Sequence, residues 1–178
     1  MTLTKKLYGV IISSFILVIL HYLMYLFIPS AWDLALKPGN LKAINFITAF
    51  FAHLNENHLY SNLLSFVLLA LSCKKKIISA WFVFLVSGWF GNLCVVIFGN
   101  SMVLGFSGGL VGLSLLNIFY HTNRFGLVIS LFYIMIIFSN IYLQKNNVSH
   151  YAHIGGFIAS LLMVGYLKFK EKSSSKNI

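Results

Sequence analysis

The sequence predicts an all-α, polytopic membrane protein with six helices, the fourth of which is short. Hydrophobic residues make up 59% of the 178 residues, and only 9% are charged, against about 25% in ordinary soluble domains. Long apolar stretches without a charge recur along the whole chain. A soluble domain of this size could not bury so much apolar surface, and a disordered chain would contain far less of it.

Each predicted helix is an apolar stretch judged against a hydrocarbon core about 30 Å thick, which takes about 20 helical residues to cross. We place the helices at residues 7–28, 46–72, 77–98, 107–120, 125–143 and 151–169. The first is longer than a signal-peptide core and has no cleavage site after it, so we expect it to be retained. The fourth is about 21 Å long and too short to cross completely. We find no linker and expect a single domain over residues 1–178.

The charge pattern predicts the orientation of these helices. The chain has 13 basic and 3 acidic residues, a net charge of +10. With six crossings, ten of the thirteen basic residues fall on the side that holds both termini, which the positive-inside rule makes cytoplasmic. We therefore interpret the basic residues as orientation signals and lipid contacts, and expect no nucleic-acid partner. Cys73 and Cys94 have neither disulfide nor metal spacing, and we expect no metal site.

Polar residues at membrane depth are costly and usually functional. His58 and Asn62 are four residues apart and share one face of the second predicted helix. Ser107 lies at the start of the fourth helix and His153 lies early in the sixth. Because these three helices all begin on the outer side, the four side chains lie at similar depth. Small residues spaced four apart in the fourth and sixth helices would let the two backbones approach closely.

This set of side chains predicts nucleophilic catalysis. A serine hydroxyl needs a neighbouring base to take its proton, and His153 can supply one to Ser107. No acidic residue lies in either helix near His153, so we predict a Ser-His dyad and no triad. His58, Asn62 and the Ser107 backbone N–H are the candidate donors to an oxyanion, each worth about 2.7–4 kcal/mol in the transition state.

The chain resembles the rhomboid family of intramembrane serine proteases over residues 45–167. Three motifs carry the resemblance: His-x-x-x-x-His-x-x-x-Asn at His53, His58 and Asn62; Gly-x-Ser-Gly at Gly105 to Gly108; and Ala-His-x-x-Gly at Ala152, His153 and Gly156. The resemblance implies that Ser107 is the nucleophile, His153 the general base and acid, and His58 and Asn62 the oxyanion residues. His53, Gly105, Gly108 and Gly156 are implied to be structural.

The family resemblance also implies a reaction and a location. Membrane-protein substrates would be cut near the outer face without a cofactor, by a minimal six-helix form of the bacterial inner membrane. The compact chain is also similar to rhombosortases, which process C-terminal sorting tails.

Four common family features are missing: a Trp-Arg pair in the first loop, a Glu at the end of the second helix, an aromatic after the serine and a Gly before the Ala-His motif. The corresponding positions are Ile44 and Asn45, residues 73–76, Val111 and Tyr151.

Two other functions stay open at this stage. A rhomboid-like protein that binds membrane clients without cutting them is compatible with the missing features. A small transporter would need a polar path through the full thickness of the membrane, whereas the intramembrane polar residues cluster in the outer half, although the third predicted helix contains Ser87 and Asn92. Taken singly, Ser107 is also explained as a helix N-cap. His21, His121 and His150 match no motif, and we expect them to be structural.

Overall fold

The fold is all-α, as predicted from the composition. The computed structural model describes residues 3–99, 101–120, 123–142 and 150–174, so His121 lies outside the described residues. Over these residues the chain forms eight helices and no named strand. They are α1 (Leu3–Phe27), α2 (Ala31–Leu34), α3 (Asn45–Phe51), α4 (Glu56–Ser72), α5 (Ile77–Phe98), α6 (Ser107–Phe119), α7 (Arg124–Tyr142) and α8 (His150–Ser174).

Three helices are long and apolar enough to cross a membrane on their own. Among the described residues these are α1, α5 and α8, whereas α6 and the first part of α7 are apolar but shorter. α4, with 17 residues, is also shorter than a typical span. The number of helices that cross the membrane therefore stays a prediction.

The single helix predicted over residues 46–72 is interrupted in the structure. α3 ends at Phe51, Ala52 has an extended backbone, and α4 begins only at Glu56. The interruption has a local cause, because the Asn55 side chain accepts a 2.9 Å hydrogen bond from the His58 backbone N–H and so caps α4. The break coincides with the mostly polar residues 53–58, and the prediction of one helix joined the apolar stretches on either side of them.

α5, α6 and α8 pack closely because glycines stand where their backbones meet. A Cβ atom added to Gly156 of α8 would lie 2.4 Å from the Gly108 carbonyl oxygen of α6. A Cβ added to Gly91 of α5 would lie 2.3 Å from the Ala152 carbonyl oxygen of α8. A side chain at either position would force the helices apart, so the small-residue spacing sets how close α6 and α8 lie.

The loop before α3 is tied to the segment that leads into α6. Leu36 and Val103 form an antiparallel backbone bridge, with N–H to O distances of 3.2 and 3.0 Å. The Gly105 N–H donates to the Ala49 carbonyl at 2.7 Å. Asn45 also donates from its side chain to the backbone of this loop, at 2.7 Å. These bonds hold the backbone that leads into the first turn of α6.

Candidate active site

The structure brings Ser107 and His153 into direct contact. Ser107 is the first residue of α6 and His153 lies in the first turn of α8. The Ser107 Oγ atom is 2.8 Å from His153 Nε2, which is hydrogen-bond distance. The helix N-cap is Phe106, so the alternative of Ser107 as N-cap does not hold. The Ser107 carbonyl also accepts a 3.4 Å hydrogen bond from the Tyr133 hydroxyl of α7.

His58 and Asn62 face the same cavity as this pair. The Asn62 amide nitrogen lies 3.2 Å from His58 Nε2. Because an amide nitrogen only donates, His58 Nε2 accepts this bond and the His58 proton is assigned to Nδ1. His58 and Asn62 line one cavity of about 340 Å³ together with Ser107 and His153. All four predicted catalytic and oxyanion residues therefore meet in one place.

Gly105 lets the backbone pass close to His58 and Asn62, the predicted oxyanion residues. Its φ of +100° lies in the left-handed region that residues with side chains rarely adopt. A Cβ atom there would lie 3.0 Å from His58 Cε1 and 3.2 Å from Asn62 Nδ2. Replacing this glycine would therefore strain the turn before Ser107 and crowd both side chains.

A second, apolar cavity of about 210 Å³ lies against the His153 ring. Val111 of α6 and Ile137 of α7 line it together with His153, which also faces the first cavity. Within the described part of the chain, His153 Nδ1 is buried and has no hydrogen-bond partner. The acidic residue Glu171, also on α8, is instead paired with Lys75. His153 thus contacts Ser107 without a carboxylate behind it.

A comparison with family models identifies the family of the chain. The family model for the Rhomboid domain matches residues 40–170, well over half of the chain. The chain belongs to the rhomboid family. Neither the comparison with curated proteins nor that with solved structures gives a match. Rhomboids are integral membrane proteins of a protease family that acts on membrane-protein substrates within the bilayer, and the matched range contains every predicted site residue.

The structure shows what this rhomboid has at two of the positions where common family features are missing. Asn45, at one of the two Trp-Arg positions, donates from its side chain to the Ala35 carbonyl, and Thr48 one turn later donates to the Leu34 carbonyl at 2.9 Å. These two bonds anchor the first loop. Val111 is 2% exposed and borders the apolar cavity, so no aromatic ring packs there from this position.

His53 lies next to His58 in this rhomboid, and contacts from several sides hold it in place. Its side chain is fully buried, and its Nδ1 lies 3.2 Å from the Phe51 carbonyl oxygen. Its ring contacts the His58 ring edge-on, with 5.0 Å between the ring centres. The Tyr25 hydroxyl donates a 2.5 Å hydrogen bond to the His53 carbonyl.

Sequence reasoning missed two contributions from α1, namely Tyr25 and His21. The His21 ring lies 5.6 Å from the His53 ring, centre to centre, so a residue that the sequence predicts only to be structural contacts a residue of the His-x-x-x-x-His motif. One signal could have indicated it: His21 continues the series of buried positions Val10, Ser13 and Leu17, spaced three and four residues apart. That spacing identifies the inward face of α1 but not the residue it meets.

Proposed function

We propose that this rhomboid is an intramembrane serine endopeptidase that cleaves transmembrane or membrane-adjacent segments of other membrane proteins. Ser107 is the nucleophile, and His153 is the general base and then the general acid. The observation that carries the proposal is the 2.8 Å distance between Ser107 Oγ and His153 Nε2. A nucleophile and a base at this distance, in a cavity large enough for a peptide segment, are what acyl transfer requires.

The reaction proceeds through an acyl-enzyme. His153 Nε2 takes the hydroxyl proton as Ser107 Oγ bonds to the substrate carbonyl carbon, and the carbonyl oxygen becomes an oxyanion. When the C–N bond breaks, His153 returns the proton to the leaving amine. His153 then takes a proton from water as the water oxygen attacks the acyl carbon, and it passes that proton to Ser107 Oγ when the acyl C–O bond breaks. The buried His153 needs no carboxylate for these proton transfers, only a free Nε2 lone pair at the start.

Donors for the oxyanion come from α6 and α4. The Ser107 and Gly108 N–H groups open α6 and have no acceptor within the helix, because the first backbone acceptor, Phe106, is taken by Gly109 and Leu110. The N-terminal end of the α6 dipole also favours negative charge, by about 0.3–1 kcal/mol. Asn62 retains a second amide N–H after bonding His58. Each well-aimed donor is worth about 2.7–4 kcal/mol.

We further propose six crossing segments, with both termini cytoplasmic and the cavity open to the outer side of a bacterial inner membrane. Contacts between basic residues and their neighbours support this arrangement. Lys6 of α1 donates to the Cys73 carbonyl after α4, and Lys75 before α5 pairs with Glu171 near the end of α8. These four helix ends therefore share one basic face, and the Ser107 site lies at the opposite end of α8.

Cleavage of a membrane-anchored substrate in liposomes tests the proposal. Ser107→Ala and His153→Ala are each expected to lower the rate by at least about 10³-fold, since the two residues act as a unit. Ser114→Ala is the matched control, because this buried serine of α6 bonds only the Leu110 carbonyl in its own helix. Cleavage that survives Ser107→Ala contradicts the mechanism.

Two experiments on the purified protein distinguish the proposed protease from a client-binding rhomboid and from a transporter. A client-binding rhomboid without activity would not react with a fluorophosphonate probe, whereas the proposed enzyme labels at Ser107 and loses labelling in Ser107→Ala. A transporter would move solutes across liposomes. The polar residues that suggested transport are packed in the core, Ser87 being fully buried and Asn92 being 2% exposed, so we expect no flux.

A further inference from the structure

Three imidazole rings form a continuous row from α1 to the oxyanion residues. His21 of α1 lies 5.6 Å from His53, and His53 lies 5.0 Å from His58, each pair in an edge-on arrangement. His21 is 4% exposed and His53 is fully buried, so the first two rings are shielded from solvent. Only His58 lines the cavity that holds Ser107.

Two nitrogens in this row are buried without a hydrogen-bond partner among the described residues. They are Nδ1 of His21 and Nε2 of His53. A buried polar atom without a partner lowers stability, and such atoms are rare in folded proteins. Ser13, on the same inward face of α1, shows the usual situation: it donates to the Gly9 carbonyl and accepts from the Trp81 indole. The two orphan nitrogens therefore need a physical explanation.

The tautomer of His53 follows from its other nitrogen. Nδ1 of His53 lies 3.2 Å from the Phe51 carbonyl, and because a carbonyl only accepts, Nδ1 carries the proton. Nε2 of His53 is therefore a bare acceptor that needs a donor. Nδ1 of His21, whose ring centre lies 5.6 Å from that of His53, can be that donor when His21 is in its Nδ1–H form.

We propose that His21 is a positioning residue: its Nδ1–H donates to His53 Nε2 and fixes the ring of His53 against that of His58. The inference rests on the proposed function. The chain of contacts then runs from His21 through His53 to His58, whose Nε2 is 3.2 Å from the Asn62 amide nitrogen. Gly105 packs close to this ring, since a Cβ atom added to it would lie 3.1 Å from His53 Cδ2, and a tilt of His53 would therefore also press on the turn before Ser107.

Variants of His21 separate a bonding role from simple ring packing. His21→Phe keeps a ring and removes the donor, and His21→Asn places an amide N–H near the position of Nδ1. We expect His21→Phe to lower kcat about ten-fold, less than the loss of a direct oxyanion donor, which is about 10²–10³-fold. KM should change less than two-fold and the melting temperature should not fall. His21→Asn should restore kcat to within about three-fold of the wild type.

Ser13→Ala is the matched control, since it removes a buried polar group from the same face of α1 without touching the row of histidines. It is expected to lower the melting temperature and leave kcat unchanged. If His21→Phe cleaves as fast as the wild type, or if His21→Asn is as slow as His21→Phe, the inference is overturned.

A spectroscopic test on the wild type does not depend on whether the variants fold. With ¹⁵N-labelled histidine, we expect His53 as the Nδ1–H tautomer with a hydrogen-bonded Nε2, and His21 as the Nδ1–H tautomer. An Nε2–H tautomer at His53 overturns the inference. Equal cleavage by the wild type and Ser107→Ala would instead refute the proposed function, and the nitrogen spectrum would still decide whether the bond exists.

Discussion

Replacing Gly156 by Ala tests whether close packing of α6 and α8 assembles the catalytic pair. Gly156 lies three residues after His153, and Gly108 lies one residue after Ser107. A Cβ atom at Gly156 would be 2.4 Å from the Gly108 carbonyl oxygen, whereas ordinary contact begins at 3.4 Å. Because the neighbouring atom is backbone, no side-chain rotation can relieve the overlap.

The size of the effect follows from these distances. The helices must separate by about 1 Å at this point, and His153 moves with α8. The 2.8 Å separation between Ser107 Oγ and His153 Nε2 would then exceed the 3.5 Å limit of a hydrogen bond. A misplacement of about 1 Å in a reacting group costs roughly 10²-fold in rate. We expect Gly156→Ala to lower kcat by about that factor.

The assay is cleavage of a membrane-anchored substrate in liposomes, together with fluorophosphonate labelling of Ser107. Gly165→Ala is the control, because this glycine is also in α8 and a Cβ there meets nothing within 4 Å. It should cleave like the wild type and be slightly more stable, by up to about 1 kcal/mol from better helix propensity. Cleavage by Gly156→Ala within two-fold of Gly165→Ala would refute the reasoning.

Three further substitutions test other parts of the site. Val111→Phe should fill part of the 210 Å³ cavity beside His153 and add about 0.5–2 kcal/mol of stability, seen as a higher melting temperature in detergent. Asn55→Ala removes the cap that accepts the His58 N–H and should lower stability by about 0.5–2 kcal/mol, with a larger loss of kcat than of substrate affinity. Tyr25→Phe removes the hydroxyl that donates to the backbone before α4 and should cost about 0.5–1.5 kcal/mol in unfolding experiments.

Each of these substitutions has an outcome that contradicts it. A lower melting temperature for Val111→Phe would mean that the cavity cannot accept a ring. If Asn55→Ala has the same kcat as the control Asn55→Asp, which keeps a capping side chain, the cap on the first turn of α4 does not contribute to catalysis. If Tyr25→Phe is as stable as the wild type, the hydrogen bond from Tyr25 to the His53 carbonyl contributes no net stability, because the hydroxyl bonds water equally well in the unfolded protein.

The chemistry of the site was readable from the chain because it depends on residue types at fixed spacings. The sequence predicts that Ser107, His153, His58 and Asn62 lie at similar depth, and the structure brings them to one cavity. Small residues on α6 and α8 indicated a close approach before any distance was known. The interruption of the predicted helix over 46–72 coincides with the mostly polar residues 53–58, but only the structure shows that the Asn55 side chain caps a separate helix there.

His21 shows most clearly what the chain alone does not reveal. Its position on the inward face of α1 follows from the spacing of its neighbours, but its partner His53 is 32 positions further along the chain. Nothing local to either histidine favours their contact. The cavity beside Val111 also could not be predicted from the sequence, because a missing aromatic side chain leaves a cavity only if the neighbouring helices do not close over the space.

The amino-acid sequence by itself determined that this protein is helical, membrane-embedded and equipped with rhomboid motifs. Apolar length and the spacing of polar residues are local properties, and the bilayer acts on each helix separately. Only the tertiary structure decided that Ser107 lies 2.8 Å from His153, that α3 and α4 are separate, and that His21 of α1 contacts His53. Those features depend on how helices distant in the chain pack against one another, and that packing is set by many shared contacts rather than by any one stretch of residues.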